Sequence, residues 1–416
     1  MTESNNAAAV NRQTTMAKSG WIFVLAGAAS LSLCAVIDFY YFPSTVVFGD
    51  ELRFLRSASH LVQTGQFAVS DARAWEMPGT AIFLAGFISL FGDAQGAILP
   101  ARLAQAVLLV CQAGMVAVIA QWLFKRRSAA IAAYIMVAFY PFFLFYQGLL
   151  LSETLFNMLL IAAFASLYWW RERGLRFDGV FVLTCLLFGL AAFIKPTLTI
   201  APPILMASLA VANLRHAFRV LVVAGLTYAA VLTPWVVRNY TVLHAFVPFT
   251  TGASENLYLG NNEKNQTAGI DWMADVDQDV VARLRAIPGE VERQRAFGAA
   301  AIDYIRADPM AFVQRAGQKF ARFWNVVPNA PEYRGNLYRI VSAVSFGGVL
   351  MLSAVSLLIW RRHLIDFAPL LLLAVYFTAV HMITIASLRY RLPLEPFLIL
   401  MAAGAVGAAV QRTVRV

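Results

Sequence analysis

Charge is scarce in this sequence. Asp, Glu, Lys and Arg make up 13% of its 416 residues, against roughly a quarter in an ordinary soluble domain. That scarcity excludes a water-soluble globule as the whole account of the chain. Cysteine is scarce too. Cys34, Cys111 and Cys185 are the only three, and each sits inside an apolar run. Small core residues are expected there, with neither a disulfide framework nor a cysteine metal site. The five histidines are scattered, without an HxxxH or HxxE pair. There is no internal repeat and no low-complexity tract. No typical cleavage site follows the first apolar run, which is therefore read as a retained span rather than a removed leader.

Apolar length is what the sequence has in abundance. Hydrophobic residues make up 60% of it, and the mean hydropathy is +0.66. Runs such as 21–42, 220–237 and 349–360 account for this, and about 20 apolar residues are enough to cross a bilayer core. The net charge is +10. In a soluble protein that balance could suggest nucleic acid. Here Lys and Arg mark cytoplasmic loops, and no nucleic-acid partner is expected.

The basic flanks orient the spans. Arg12 and Lys18 precede the first run and place the N-terminus in the cytoplasm. Lys125-Arg126-Arg127, Arg171/Arg173/Arg176, Arg215/Arg219, Arg361/Arg362 and Arg412/Arg415 fall on the same side. An even number of crossings must then separate any two of these clusters. Between 42 and 125 there are two apolar stretches, 80–91 and 97–124. Counting both as spans would put 125–127 outside. The first is only about 12 residues, the length of an interfacial or re-entrant segment, so it is read as a half-buried helix in a long first periplasmic loop. The spans become 20–42, 97–124, 128–147, 151–170, 179–194, 197–213, 219–236, 337–359, 365–386 and 393–410, ten crossings with both termini inside.

The expected fold class is thus an all-α polytopic membrane protein of about ten transmembrane helices. Residues 1–236 form a transmembrane core that includes the first periplasmic loop, 43–96. Residues 237–336 form a small, mostly helical periplasmic segment, and 337–416 the C-terminal transmembrane helices. The 237–336 segment has eleven acidic and eleven basic residues, an ordinary balance for a soluble module. Its second half predicts helices over 277–286, 290–307 and 309–324. Asp308-Pro309 is a helix start with Pro at the first helical position.

Some charges break the positive-inside pattern. Lys195, Arg238, Arg389 and Arg391 fall at periplasmic ends of spans, as do Asp50, Glu51 and Glu153. Ionisable groups at membrane depth are costly and usually paired or functional. One reading is plain: snorkelling anchors, with Asp50, Glu51 and Glu153 capping helices. The other is a site. Cations from separate parts of the chain would meet an anionic headgroup, and arginine's planar fork suits phosphate. A carboxylate would take the proton from an attacking hydroxyl. A phosphate leaving group needs cationic stabilisation rather than a general acid, which makes this half of the inverting glycosidase arrangement. After Asp50-Glu51, Leu52, Leu55, Ala58 and Leu61 recur at helical spacing, as in an amphipathic helix on the membrane surface.

At these residues the sequence resembles the GT-C superfamily of membrane glycosyltransferases, particularly bacterial members similar to protein O-mannosyltransferases and the lipid A aminoarabinose transferase. Gly49-Asp50-Glu51 looks like the acidic motif of the family's first periplasmic loop. Met77-Pro78-Gly79 through Leu90-Phe91-Gly92, then Ala101-Arg102-Leu103, is similar to its Pro-Gly-Tyr-Pro…Leu-Phe-Gly…Ala-Arg-Leu run, with Thr80-Ala81 where Tyr-Pro is common. Leu151-Ser152-Glu153 looks like the second-loop acidic motif. Thr233-Pro234-Trp235 to Arg238-Asn239, with Gly260-Asn261-Asn262, resembles Pro-Trp-x-x-Arg-Asn…Gly-Asn-Asn, and Leu388-Arg389-Tyr390-Arg391-Leu392-Pro393 resembles the late Arg-Tyr-Arg-x-Pro motif. The resemblance covers nearly the whole chain.

It implies a bacterial inner-membrane enzyme with its active site on the periplasmic side. It implies inverting transfer of a monosaccharide from an undecaprenyl-phosphate or similar carrier. The acceptor would be a glycan, a lipid or a protein. Asp50 would be the base, and Glu51 and Glu153 would orient acceptor or sugar. Lys195, Arg238, Arg389 and Arg391 would contact the donor phosphate, with Arg102 and Tyr390 as further candidates. Neither a cofactor nor a metal is expected. Two alternatives stay open: a lipid-linked glycan ligase, and a polytopic transporter or flippase. Against the latter stands the lack of two-half symmetry and of matched broken helices.

Overall fold

In a computed structural model the backbone is described for residues 2–42, 46–269, 273–329, 333 and 335–413, and the side chains for those of them between 20 and 411. Arg12, Lys18, Arg412 and Arg415 lie outside the described side chains. Helices dominate. The first are α1 (Thr2–Tyr40), α2 (Gly49–Thr64), α3 (Gly79–Phe91), α4 (Ala94–Phe124), α5 (Arg127–Ala138), α6 (Pro141–Gln147), α7 (Ser152–Glu172), α8 (Gly179–Ala192), α9 (Ala201–Ser208) and α10 (Leu214–Leu243). Then come α11 (Gly252–Gly260), α12 (Gln278–Arg285), α13 (Glu290–Ala307), α14 (Pro309–Phe323), α15 (Asn336–Ser342), α16 (Gly348–Ile359), α17 (Leu364–Ile383), α18 (Leu388–Arg391) and α19 (Glu395–Thr413). The only strand-like pairing among the described residues is an isolated bridge between Val69 and Ala72.

Helix ends follow local chemistry. Asp93 caps α4 by accepting from Gly96 N (2.6 Å), and Asp178 caps α8 at Val180 and Phe181. Asp308 caps α14 at Ala311 with Pro309 in the first turn, the start the sequence predicts. The helices expected over 277–286, 290–307 and 309–324 form as α12, α13 and α14.

Six helices among the described residues are long and apolar enough to cross a membrane, or seven if the pair α5 and α6, bent by 48°, is one span. Length and composition alone therefore do not reach the expected ten. The others fall on α7, which begins with a charged turn, and on the short α8 and α9. The stretch 80–91 forms α3, 13 residues and so about 20 Å long, well short of a bilayer core of about 30 Å.

The core is built around α7, where Phe156, Phe164, Leu167 and Trp170 are all fully buried. Polar bonds tie the interior together, as they do between membrane helices. Gln112 Nε2 donates to Thr154 O (3.0 Å), Gln105 Nε2 to Leu149 O (2.9 Å), and Ser166 pairs with Thr184 (2.8 Å). Cys34 and Cys185 pack inside, whereas Cys111 faces outward, so only two of the three cysteines are core residues. None is in a disulfide.

Among the described residues, the basic clusters at 125–127, 171–176, 215–219 and 361–362 gather at one end of the bundle. Lys125 pairs with Glu172 (2.9 Å), and Arg171 pairs with Asp366. Arg126 lies over the Trp360 ring (5.1 Å), and His216 bonds Leu175 O (3.2 Å). The N-termini of α2, α4 and α7 and the C-termini of α8, α10 and α17 lie at the other end, and the exceptional charges lie there with them.

Candidate active site

Helix α2 starts because Glu51 reaches back to its own N-terminus. Its Oε1 accepts from Val47 N (2.9 Å) and Phe48 N (3.0 Å), two donors that a helix start leaves orphaned. Its Oε2 accepts from Leu150 N (2.8 Å), just ahead of α7. Arg102 Nη2 lies 3.5 Å from the same oxygen, and both side chains are fully buried. Arg102 also donates to Phe42 O at the end of α1. Glu51 and Arg102 thus fasten α1, α2, α4 and the entry to α7. Glu51, expected to orient substrate, has its two oxygens committed to the protein.

With Glu51 turned inward, Asp50 faces the opposite way. Its Oδ1 takes Arg53 Nη1 (2.5 Å) and its Oδ2 takes Arg389 Nη1 (2.5 Å). Arg389 Nε also bonds Glu153, and Lys195 Nζ is 2.8 Å from the same Glu153 oxygen. Arg53 Nε continues the row to Glu76 Oε2 (3.1 Å). Six side chains therefore alternate in sign: Glu76, Arg53, Asp50, Arg389, Glu153, Lys195. Five elements supply them: α2, the loop before α3, α7, the turn after α8, and α18. Exposure peaks in the middle of the row, at 35% for the Asp50 side chain, and drops to 1% at Glu153.

Two carboxylates of this row behave differently. Burial opposes ionisation of Asp50, but the guanidiniums of Arg389 and Arg53 outweigh it and hold its pKa below the usual carboxylate value. Burial dominates at Glu76 and pushes it up to about 7, only partly offset by Arg53. Glu76 Oε1 is buried with no hydrogen-bond partner among the described residues. Sequence reading missed Glu76 and Arg53. The signal for Arg53 was its position three residues after Asp50, on the same helical face. Nothing local marks Glu76.

Tyr390 lies beside the row. Its ring stacks on His381 (4.8 Å, 9°), and Lys195 Nζ is 6.0 Å from its centroid. Arg391 and Arg238, expected at the phosphate, do not join the row. Arg391 is fully buried, paired with Glu395 (2.8 Å) and donating to Phe323 O (3.1 Å) and Asn325 O (2.7 Å). Arg391 is two residues on from Arg389, and at about 3.6 residues per turn that sends its side chain about 200° round the axis, so the side chains at 389 and 391 point apart. Arg238 donates to Arg73 O (2.6 Å) and Phe67 O (2.9 Å) and lies over Trp235 (5.0 Å). With Trp235 Nε1 on Phe249 O (2.7 Å) and Asn239 Nδ2 on Val247 O (3.0 Å), the Pro-Trp-x-x-Arg-Asn stretch clamps the exit of α10 to the first loop.

The Gly-Asn-Asn stretch holds the chain where α17 ends, ahead of α18. Asn261 Nδ2 donates to Ile383 O (2.8 Å), and buried Lys319 donates to Asn261 Oδ1 (3.0 Å) and Ile383 O (3.3 Å). A Cβ at position 260 would stand 1.9 Å from Thr384 O, so only glycine allows this contact. The loop that leads into α18 is pinned there. Among the described residues no three His, Cys, Asp or Glu side chains are grouped as a metal site requires.

No protein-family profile matches this chain, and no curated protein matches its sequence. Solved structures do match. Over 95% of its length the chain aligns with 51% of the archaeal oligosaccharyltransferase AglB from Archaeoglobus fulgidus, in complex with an inhibitory peptide and a dolichol-phosphate, at TM-score 0.56 and 12% identity. The oligosaccharyltransferase of the same organism in complex with Zn and sulfate gives TM-score 0.54 at 13% identity, over 94% of this chain and 49% of that one. A weaker likeness, TM-score 0.47 at 17% identity, is to ArnT from Cupriavidus metallidurans bound to undecaprenyl phosphate, covering 94% of this chain and 79% of that one. The fold of this chain is that of the archaeal oligosaccharyltransferase, shared over nearly all of this chain's length. The chain spans about half the length of AglB.

Proposed function

We propose that this chain is an integral membrane glycosyltransferase that moves a monosaccharide from a polyprenyl-phosphate carrier to an acceptor hydroxyl with inversion. One observation carries the reading: Arg389 holds Asp50 and Glu153 together, with Lys195 on Glu153, at the end of the bundle away from the basic clusters. A donor phosphate oxygen competes with the carboxylates for Arg389 and Lys195. Once Arg389 turns to phosphate, Asp50 loses one of the two cations that depress its basicity, and it becomes the base. The hydroxyl oxygen then bonds to the anomeric carbon and the carbon–oxygen bond to phosphate breaks. The electron pair leaves on the polyprenyl phosphate, and the proton goes to Asp50. Arg389 and Lys195 stabilise the departing charge, so no metal or cofactor is needed.

In this reading Glu51, Arg102, Arg238 and Arg391 position the site rather than touch substrate, and Tyr390 walls it. The helices alternate in ten crossings of a bacterial inner membrane, with the site periplasmic and both termini cytoplasmic. Helix α3 rests on the periplasmic side, and 237–336 shapes acceptor choice. The test is release of undecaprenyl phosphate from short undecaprenyl-phosphate sugars by the purified protein in lipid nanodiscs, with product anomers read by NMR. A retained configuration, or no sugar transferred by any donor, overturns the reading. The fold shared with an oligosaccharyltransferase favours one second reading, a ligase of longer lipid-linked glycans. That enzyme would ignore short monosaccharide donors and use an oligosaccharide donor instead.

A further inference from the structure

Beside the charged row lies a cavity of roughly 420 Å³, between the 69–75 segment and helices α11 to α13. Small-molecule sites run from about 300 to 1,000 Å³, so it has room for a short saccharide. Arg53 belongs to both places. It lines the cavity while its guanidinium bonds Asp50 (2.5 Å) and Glu76 (3.1 Å). A molecule in the cavity is therefore separated from the proposed base by a single side chain.

The wall has a definite charge pattern. Three arginines, Arg53, Arg285 and Arg293, face three carboxylates, Asp71, Glu255 and Glu290, and the charges cancel. They are also used up in pairs. Arg285 holds Glu255 (2.5 Å) and Arg293 holds Asp71 (2.8 Å). Glu290 accepts from Arg73 N (2.5 Å), Ala74 N (2.8 Å) and Thr251 Oγ1 (2.6 Å). Trp75 Nε1 donates to Glu255 (3.2 Å). A phosphate would have to displace carboxylates to find a cation. A hydroxyl group donates and accepts at once, so it can bridge a guanidinium and its carboxylate without breaking the pair. Ser70, Thr251 and Gln294 add neutral partners to the same wall.

We propose that this cavity binds the acceptor, and that the acceptor is a neutral, hydroxyl-rich glycan rather than a phosphorylated lipid headgroup. Its role as acceptor site rests on the transferase reading; its ligand class rests on the wall alone. One glycan hydroxyl reaches past Arg53 to Asp50, and the others lie along the paired arginines and carboxylates.

The test measures binding, not turnover. Saturation-transfer NMR on the full chain in nanodiscs uses a panel of neutral di- and trisaccharides and their monophosphorylated counterparts. Transfer to at least one neutral saccharide is expected, with its phosphorylated form weaker. Gln294→Trp fills the cavity without breaking any of these ion pairs and should reduce affinity by about tenfold or more, which is about 1.4 kcal/mol. Glu255→Gln preserves shape but frees Arg285, so it should reverse the preference towards the phosphorylated form; an unfolding scan of each variant checks that it is folded. No transfer from any neutral saccharide, signals indifferent to Gln294→Trp, or a wild-type preference for phosphosugars would overturn the proposal. Donor hydrolysis measured in the same nanodiscs judges the transferase reading separately, since it needs water alone as acceptor.

Discussion

Arg389 and Asp50 stand 339 residues apart in sequence and 2.5 Å apart in space. The pair joins α2 to the last third of the chain. It also sets Asp50 apart from its neighbour Glu51, whose oxygens are both spent on the protein's own backbone.

Asp50→Asn should leave the protein folded, because the cap of α2 is Glu51 and not Asp50. The amide cannot take a proton. Turnover should fall by about 10²- to 10⁴-fold, the usual worth of a general base. Sugar transfer in nanodiscs with wild-type-like unfolding behaviour is the measurement; near-normal turnover would move the base to Glu76 or Glu153.

Glu51→Ala should act on stability instead. It leaves Arg102 buried without its carboxylate and frees the start of α2. Breaking a buried pair by removing one partner typically costs about 3–5 kcal/mol. A large fall in unfolding temperature or yield is expected, and a folded, stable but inactive Glu51→Ala protein would return Glu51 to the chemistry.

Lysine substitutions separate the arginines. Arg389→Lys keeps the charge but cannot span Asp50 and Glu153 with one planar group; it should lower turnover or donor affinity while folding is retained. Arg391→Lys and Arg238→Lys lose bonds to backbone carbonyls, so they should lower stability with little change in donor affinity per folded molecule. Equal losses of donor affinity in all three would show that they share the phosphate after all.

The pH dependence centres on Glu76. Its pKa rises from the ordinary 4.5 to about 7 on folding, through burial first. The folded protein holds this proton between those values while the unfolded chain releases it, so stability falls as pH rises through that window. Asp50 works in the opposite sense: its lowered pKa gives stability that is lost as pH falls through the acid range. Glu76→Gln should flatten the neutral part of the profile. Unfolding temperatures from pH 5 to 8 that stay parallel for both proteins would contradict this.

Much was legible because it depends on one dimension. Apolar run length gives depth in the membrane, basic flanks give side, and an Asp-Pro step starts α14 wherever the helix packs. So Asp50, Glu153, Lys195 and Arg389 could all be assigned to one end of the bundle from the sequence. Arg238 and Arg391 were assigned there for the same reason, and they do lie at that end. The backbone carbonyls they bond, from residues 67–73 and 323–325, have no sequence signature; only the Arg391–Glu395 pair, four residues apart on a helix, has one.

By itself, then, the sequence determined an all-helical membrane chain and a band of opposed charges at one end. Hydropathy and helical period are local properties, and a bilayer turns them into position along its normal. Only the tertiary structure decided which charges meet. Rotation of each helix about its axis follows from how side chains interlock with neighbours, and that rotation turns Asp50 to Arg389 and Glu51 to Arg102. It also brings Glu76, from a loop with no pattern of its own, to the end of the row, because the 65–75 backbone is clamped by Arg238 and Glu290, residues far along the chain.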